Sequence, residues 1–185
     1  MKKIICLFIA LTALLLIPGC VFALRDDGAA PDIASVAGLT DERQTDIWVE
    51  GESLGDIRIG ARGALQVIYI DEAMAKAMRS DVTVPLPVFD MAQFYGSEAA
   101  RGKKLFIAHV ETYKPWDFDY TNVFIGDYHL KKGDILSPSM TNPFGPLASK
   151  TEGYFAFAVP ASVLKEGKEI QIGYGDYSET WKALK

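Results

Sequence analysis

The stretch that decides the fold is TEGYFAFAVPASVLKEGKEIQIGYGD, residues 151–176. In its first half Phe155, Phe157 and Val159 share one face of an extended chain, and alanines occupy the other face. After a Glu-Gly-Lys turn, Ile170 and Ile172 share a face in the same way. This alternation predicts two strands that each bury one face, as in two packed antiparallel sheets with these five side chains inside.

The same signal continues upstream of this stretch. Three further runs are rich in Val, Ile, Phe and Tyr, which favour strands, and they cover residues 64–72, 104–113 and 121–130. Weaker strand candidates are residues 46–50, 56–60, 82–84 and 180–184. Helix is scarce. A short helix is predicted for EAMAKAMRS, residues 72–80, and residues 137–146 are predicted to be a long loop. Short strands with this spacing predict an all-β sandwich or barrel over residues 46–185.

The N-terminus has the pattern of an export signal. Lys2 and Lys3 precede an apolar run, residues 4–17, that is shorter than the ~20 residues needed to span a bilayer. The sequence Ile17-Pro18-Gly19-Cys20 resembles the lipobox of bacterial lipoproteins, although Pro18 departs from the usual small residue. We therefore predict a lipoprotein signal peptide over residues 1–19 and a lipid on Cys20, which would tie the protein to a membrane.

Two other kinds of N-terminal processing stay open. Cleavage after Ala23 would give a simply secreted protein, and an uncleaved run over residues 4–24 would give an anchor. All three alternatives place the domain outside the cytoplasm. Residues 20–45 mix small and charged residues without a period, which predicts a flexible tether, with Thr40 able to cap one helical turn.

Cysteine and charge narrow the possible functions. Cys6 and Cys20 are the only cysteines, so the domain has no disulfide and its apolar core must stabilise it. The net charge of −5 argues against a nucleic-acid partner, because nucleic-acid binding depends on an excess of Lys and Arg.

Two motifs are weak candidates for chemistry. GESLG, residues 51–55, matches G-x-S-x-G around Ser53, but that motif needs a strand, a sharp turn and then a helix, whereas a strand candidate follows here. His109 and His129 lie in predicted strands and could join Glu111 in a metal site only if those strands pair suitably. We therefore expect no catalytic residue, no bound metal and no cofactor.

The segment KPWDFDYTN, residues 114–122, is the best candidate for ligand binding. Its side chains Trp116, Asp117, Asp119 and Tyr120 combine aromatic surface with hydrogen-bond acceptors, which suits a glycan, a peptide or an envelope protein. Its aspartates could also hold Ca²⁺. In the structural alternative, the segment connects two strands and its aromatic rings pack on the sandwich.

Four segments, residues 54–71, 102–115, 123–134 and 151–176, together resemble a family of bacterial lipoprotein domains of unknown function, similar to mycobacterial immunoprotective extracellular antigens. The resemblance covers about residues 55–184 and implies an immunoglobulin-like antiparallel sandwich of about seven to eight strands. It implies a non-catalytic binding or interaction module of the cell envelope and carries over no catalytic residues. The alternative is an envelope hydrolase or carbohydrate-active enzyme that uses Glu111, Asp117 and Asp119.

Overall fold

The computed structural model describes residues 36–55 and 57–184. Its strands are β1 (Gln44–Val49), β2 (Glu52–Leu54), β3 (Ile57–Ile59), β4 (Gly63–Ile70), β5 (Lys103–Thr112), β6 (Trp116–Phe118), β7 (Val123–Ile125), β8 (Tyr128–His129), β9 (Gly145–Leu147), β10 (Glu152–Pro160), β11 (Glu169–Tyr174) and β12 (Tyr177–Lys182). Its α-helices are α1 (Val36–Arg43), α2 (Glu72–Ser80) and α3 (Leu86–Ala92), and short 3-10 helices cover Tyr120–Asn122, Lys132–Asp134 and Ala161–Val163.

Two four-stranded antiparallel sheets form the predicted sandwich. The first sheet has the order β1-β4-β5-β10 and the second has the order β12-β11-β7-β8. Two small ribbons, β2-β3 and β6-β9, and an isolated bridge between Ile135 and Phe157 complete the β structure of the described residues. The eight strands of the two sheets agree with the predicted number, so the all-β sandwich is confirmed.

Aromatic rings fill the space between the two sheets. Phe155, Phe157 and Val159 are fully buried, and Ile172 is 1% exposed. The Phe106 and Phe157 rings stack with their centroids 5.3 Å apart. The predicted inward-facing set is therefore confirmed, except that Ile170 at the edge of this core is only partly buried.

The outer face of the first sheet is buried as well over part of its length. Ala156 and Ala158 of β10 are fully buried, although the alternation predicted that only one face of this strand is covered. The reason is a second core, in which the methionines of α2 and α3 pack on Leu105 and Ile107 of β5. Small side chains on this face of β10 leave room for the helices.

The folded domain includes part of the predicted tether. Residues 36–43 form α1, and Arg43 at its end is 8% exposed. The Arg43 guanidinium donates to the Asp71 carboxylate through Nε at 3.1 Å and Nη2 at 2.8 Å, which holds α1 against the start of α2. Thr40 lies inside the helix, where its hydroxyl donates to the Val36 carbonyl rather than capping the end. The predicted signal peptide and Cys20 lie outside the described residues.

Four local predictions differ from the structure. Residues 86–92, for which no helix is predicted, form α3. Residues 82–84 form a turn between α2 and α3 instead of a strand. The predicted strand over residues 121–130 divides into part of a 3-10 helix and the β7-β8 hairpin. Part of the candidate binding segment, residues 114–122, which is expected to connect two strands, is β6 and pairs with β9. Within the described residues, no helix has both the length and the apolar character needed to cross a membrane.

Candidate functional site

Trp116 of the predicted binding segment lies in the core. Its side chain is 5% exposed, and its ring meets those of Phe118 and Tyr174 edge-on at 5.0 Å. Strand β6 alternates burial, so Trp116 and Phe118 point inward while Asp117 points to solvent. The indole therefore presents little surface to a ligand.

The other three candidate residues of this segment have separate surroundings. Asp117 lines a depression of about 390 Å³ beside Arg62. Asp119 caps the following 3-10 helix, because its carboxylate accepts from the Thr121 amide at 2.9 Å. Tyr120 packs on Phe144, with ring centroids 4.8 Å apart. Most side chains of this segment therefore make contacts within the fold, as the structural alternative predicted.

The strand topology also argues against the two weaker motifs, the Ser53 motif and the histidine metal site. Ser53 lies in β2, which pairs with β3 in a hairpin, so the helix that a nucleophile elbow needs does not follow it. His109 is in β5 of the first sheet, whereas His129 is in β8 of the second. Among the described residues, no three His, Cys, Asp or Glu side chains are grouped so that they could hold a metal ion.

A polar and aromatic surface lies beyond the helices on the outer face of the first sheet. We call it the open face. It is formed by alternate residues of β1, β4, β5 and β10, together with one tyrosine just after β5: Asp46, Trp48, Gln66, His109, Glu111, Tyr113, Glu152 and Tyr154. All of these side chains are exposed or partly exposed. The open face is therefore a rigid sheet surface that carries both rings and carboxylates.

Cross-strand register brings the first row of the open face together. His109 is paired with Gln66 on one side and with Tyr154 on the other. Its Nδ1 lies 3.0 Å from Oε1 of Gln66. Its ring stacks on that of Tyr154 at 4.4 Å and an interplanar angle of 13°. The imidazole is held on both sides.

The second row combines two carboxylates with a stacked pair of rings. Glu111 lies directly opposite Glu152. The Tyr113 hydroxyl donates to Oε2 of Glu111 at 2.7 Å, and the Tyr113 ring stacks on Trp48 at 6.1 Å. This row places hydrogen-bond acceptors beside a flat aromatic surface.

Protonation on the open face follows from burial. Desolvation lowers the pKa of His109 more than the nearby Glu152 and Glu111 raise it, so the ring is neutral near pH 7. With Gln66 Oε1 as the acceptor, Nδ1 carries the proton and Nε2 is an acceptor. Nε2 is buried and has no hydrogen-bond partner among the described residues. Burial and the Glu111 hydrogen bond raise the pKa of Tyr113 to about 12.

A groove of about 660 Å³ adjoins the open face at Tyr154. It lies between α3, the loop that precedes β9, and the start of β10. Its lining residues are Leu86, Pro87, Asp90, Met91, Phe94, Pro138, Thr141, Glu152, Gly153 and Tyr154.

Sequence reasoning missed the open face and the groove. Alternation along β5 already places His109, Glu111 and Tyr113 on one face, and that signal could have found these three of the eight residues of the open face. The placement of the other five beside them depends on strand register. The groove depends on how α3 packs against β10.

Comparison of the chain with protein-family models, curated proteins and solved structures finds no match. The resemblance to the lipoprotein domain family therefore stays a prediction.

Proposed function

We propose that the protein is an exported, lipid-anchored, non-catalytic binding module of the bacterial cell envelope. The observation that carries this proposal is the open face, where stacked aromatic rings and carboxylates share one rigid sheet. Flat rings offer a large contact area with little loss of conformational entropy on binding, because the sheet already holds them in place.

The chemistry of the open face suits a glycan. The Trp48 and Tyr113 rings can cover the apolar face of a sugar, while Glu111 and Glu152 accept hydrogen bonds from its hydroxyl groups. An envelope protein or a peptide is the other class of partner that this surface can take.

The alternative of an envelope hydrolase is less well supported. A glycosidase needs two carboxyl groups across a cleft, about 5 Å or 6.5–9.5 Å apart according to mechanism. Of its three predicted carboxylates, Asp119 caps a 3-10 helix, Asp117 lines a separate depression, and Glu111 lies on the open sheet surface. Glu111 does lie opposite Glu152, but the two carboxylates are on an open sheet surface and not across a cleft that could enclose a glycosidic bond.

The binding test uses the full chain and immobilised cell-envelope glycans. We expect Trp48→Ala to weaken retention by ~30-fold, the effect of losing an aromatic hot spot worth about 2 kcal/mol. Tyr177→Ala is the matched control, because this tyrosine is 37% exposed on β12 of the other sheet. Retention of every glycan by a folded Trp48→Ala variant would contradict the proposed surface, and release of free sugar would favour the hydrolase.

The anchoring test is mass spectrometry of the mature N-terminal peptide. We expect Cys20 to be the first residue and to carry acyl chains. An unmodified N-terminus at Leu24 would instead show a secreted protein.

A further inference from the structure

The groove between α3 and β10 has mainly apolar walls. Met91, Phe94 and Tyr154 form its sides, and Leu86 stands at its edge with 75% of its surface exposed. Met140, in the loop on the opposite side, is 97% exposed. Exposed apolar side chains therefore stand on both segments that border the groove, α3 and the loop.

The groove is formed before any ligand arrives. Ser137 at the base of the loop is buried, and its hydroxyl accepts from the Ala156 amide at 3.1 Å and donates to Oδ1 of Asn142 at 2.6 Å. Pro143 packs directly on Gly153, where a β-carbon would lie 2.6 Å from the proline Cβ. The loop is thus held on β10, so binding does not have to order it.

The charges at the groove all have one sign. Among the described residues that line it, the charged side chains are Asp90 and Glu152. The two segments that supply α3 and the loop, residues 81–100 and 133–149, contain no Lys or Arg. A complementary ligand therefore carries a positive charge beside an apolar group.

The size and the lining of the groove indicate the kind of ligand. Its volume lies within the ~300–1,000 Å³ typical of ligand pockets and suits one or two large side chains. We propose that this groove binds a segment of a partner protein in which a large aliphatic or aromatic side chain lies next to Lys or Arg. The apolar side chain fills the groove against Met91 and Phe94, and the cation pairs with Asp90 and Glu152. This site shares Glu152 and Tyr154 with the open face but does not include Trp48 or Tyr113.

The test is a selection of random 12-residue peptides displayed on phage against the full chain, followed by affinity measurement of the selected peptides. We expect enrichment of peptides with Lys or Arg beside Leu, Phe or Trp. Asp90→Asn should weaken their binding by ~10-fold at low salt, and Leu86→Ser by at least as much. The Asp90 effect should shrink as ionic strength rises, because salt screens exposed charges.

Two control variants match these changes elsewhere on the molecule. Asp127→Asn removes an exposed carboxylate at the β7-β8 turn, and Leu54→Ser removes a leucine that is 67% exposed on β2. Neither should change peptide affinity. Circular dichroism confirms that each variant is folded.

Three outcomes would overturn the proposal. They are the absence of any selected peptide, the enrichment of acidic peptides, and affinities that Asp90→Asn and Leu86→Ser leave unchanged. Trp48→Ala keeps the groove intact, so it should retain peptide affinity while losing glycan retention. The two proposals can therefore fail independently.

Discussion

The indole of Trp116 packs against Gly63 so closely that a β-carbon at Gly63 would lie 2.7 Å from two of its ring carbons. Gly63 begins β4 in the first sheet, and Trp116 begins β6 in a separate ribbon. The missing side chain at Gly63 is what lets the indole reach the core. This contact ties the ribbon to the sandwich and explains why Trp116 is buried.

We expect Trp116→Ala to lower the free energy of unfolding by ~3–5 kcal/mol without any ligand, because it empties a large core site. Gly63→Ala should cost ~1–3 kcal/mol, because its β-carbon would lie 2.5 Å from the Glu111 carbonyl oxygen and would also press on the indole. Urea denaturation measures both. Trp48→Ala, on the open face, is the control and should cost less than Trp116→Ala. If Trp116→Ala leaves the urea midpoint unchanged, the indole does not stabilise the core and is again a candidate for ligand binding.

Phe157 tests the core between the two sheets. It is fully buried and contacts the Phe106 and Phe155 rings. Phe157→Ala should destabilise the domain by ~3–5 kcal/mol in thermal or chemical unfolding. The exposed Tyr177 offers a comparison, since Tyr177→Ala removes a ring without leaving a cavity. If both variants lose the same free energy of unfolding, the assignment of Phe157 to the core is wrong.

Asp71 has two functions that can be separated by substitution. Its Oδ1 accepts from the Met74 amide at 2.8 Å and caps α2, while Oδ2 accepts from Arg43. Asp71→Asn keeps an acceptor for the cap but removes the charge that faces Arg43. Asp71→Ala removes both the cap and the charge. It should lower the free energy of unfolding by about 1 kcal/mol more than Asp71→Asn does, which is the usual contribution of an N-cap. Equal destabilisation by the two variants would mean that the cap contributes nothing.

Alkaline pH tests the open face through Tyr113. Its folded pKa of about 12 lies above the ordinary value of 10, so the folded state favours the neutral phenol. The resulting stability is fully present below about pH 10 and is lost as the pH rises toward about 12. Tyr113→Phe should therefore make the unfolding free energy fall less steeply over this interval.

In Tyr113→Phe the decline of the unfolding free energy with pH should become shallower but should not disappear. The reason is that the pKa values of Tyr95, Tyr128 and Tyr154 are also raised. Tyr177→Phe is the matched control, since this tyrosine lies on β12 of the second sheet. An identical decline in wild type and Tyr113→Phe would contradict the raised pKa of Tyr113, to which burial contributes most and the Glu111 hydrogen bond next.

By itself, the sequence determined the class of fold and much of the core. The alternation along β10 and β11 is a local property with a period of two residues, so it identified Phe155, Phe157, Val159 and Ile172 as inward-facing without knowledge of their partners. It also predicted α2 in agreement with the structure, because a run of helix-forming residues that prolines soon end is a local signal.

The candidate sites were decided by the tertiary structure. Whether Trp116 is buried depends on a glycine in another strand, the rows around His109 depend on the register of four strands, and the groove depends on α3 packing against β10. None of these contacts follows from a local period, because register and layer packing are set by the free energy of the assembled sheets and helices. The same pattern of residues on β5 therefore predicted a strand but could not show which side chains would meet on its outer face.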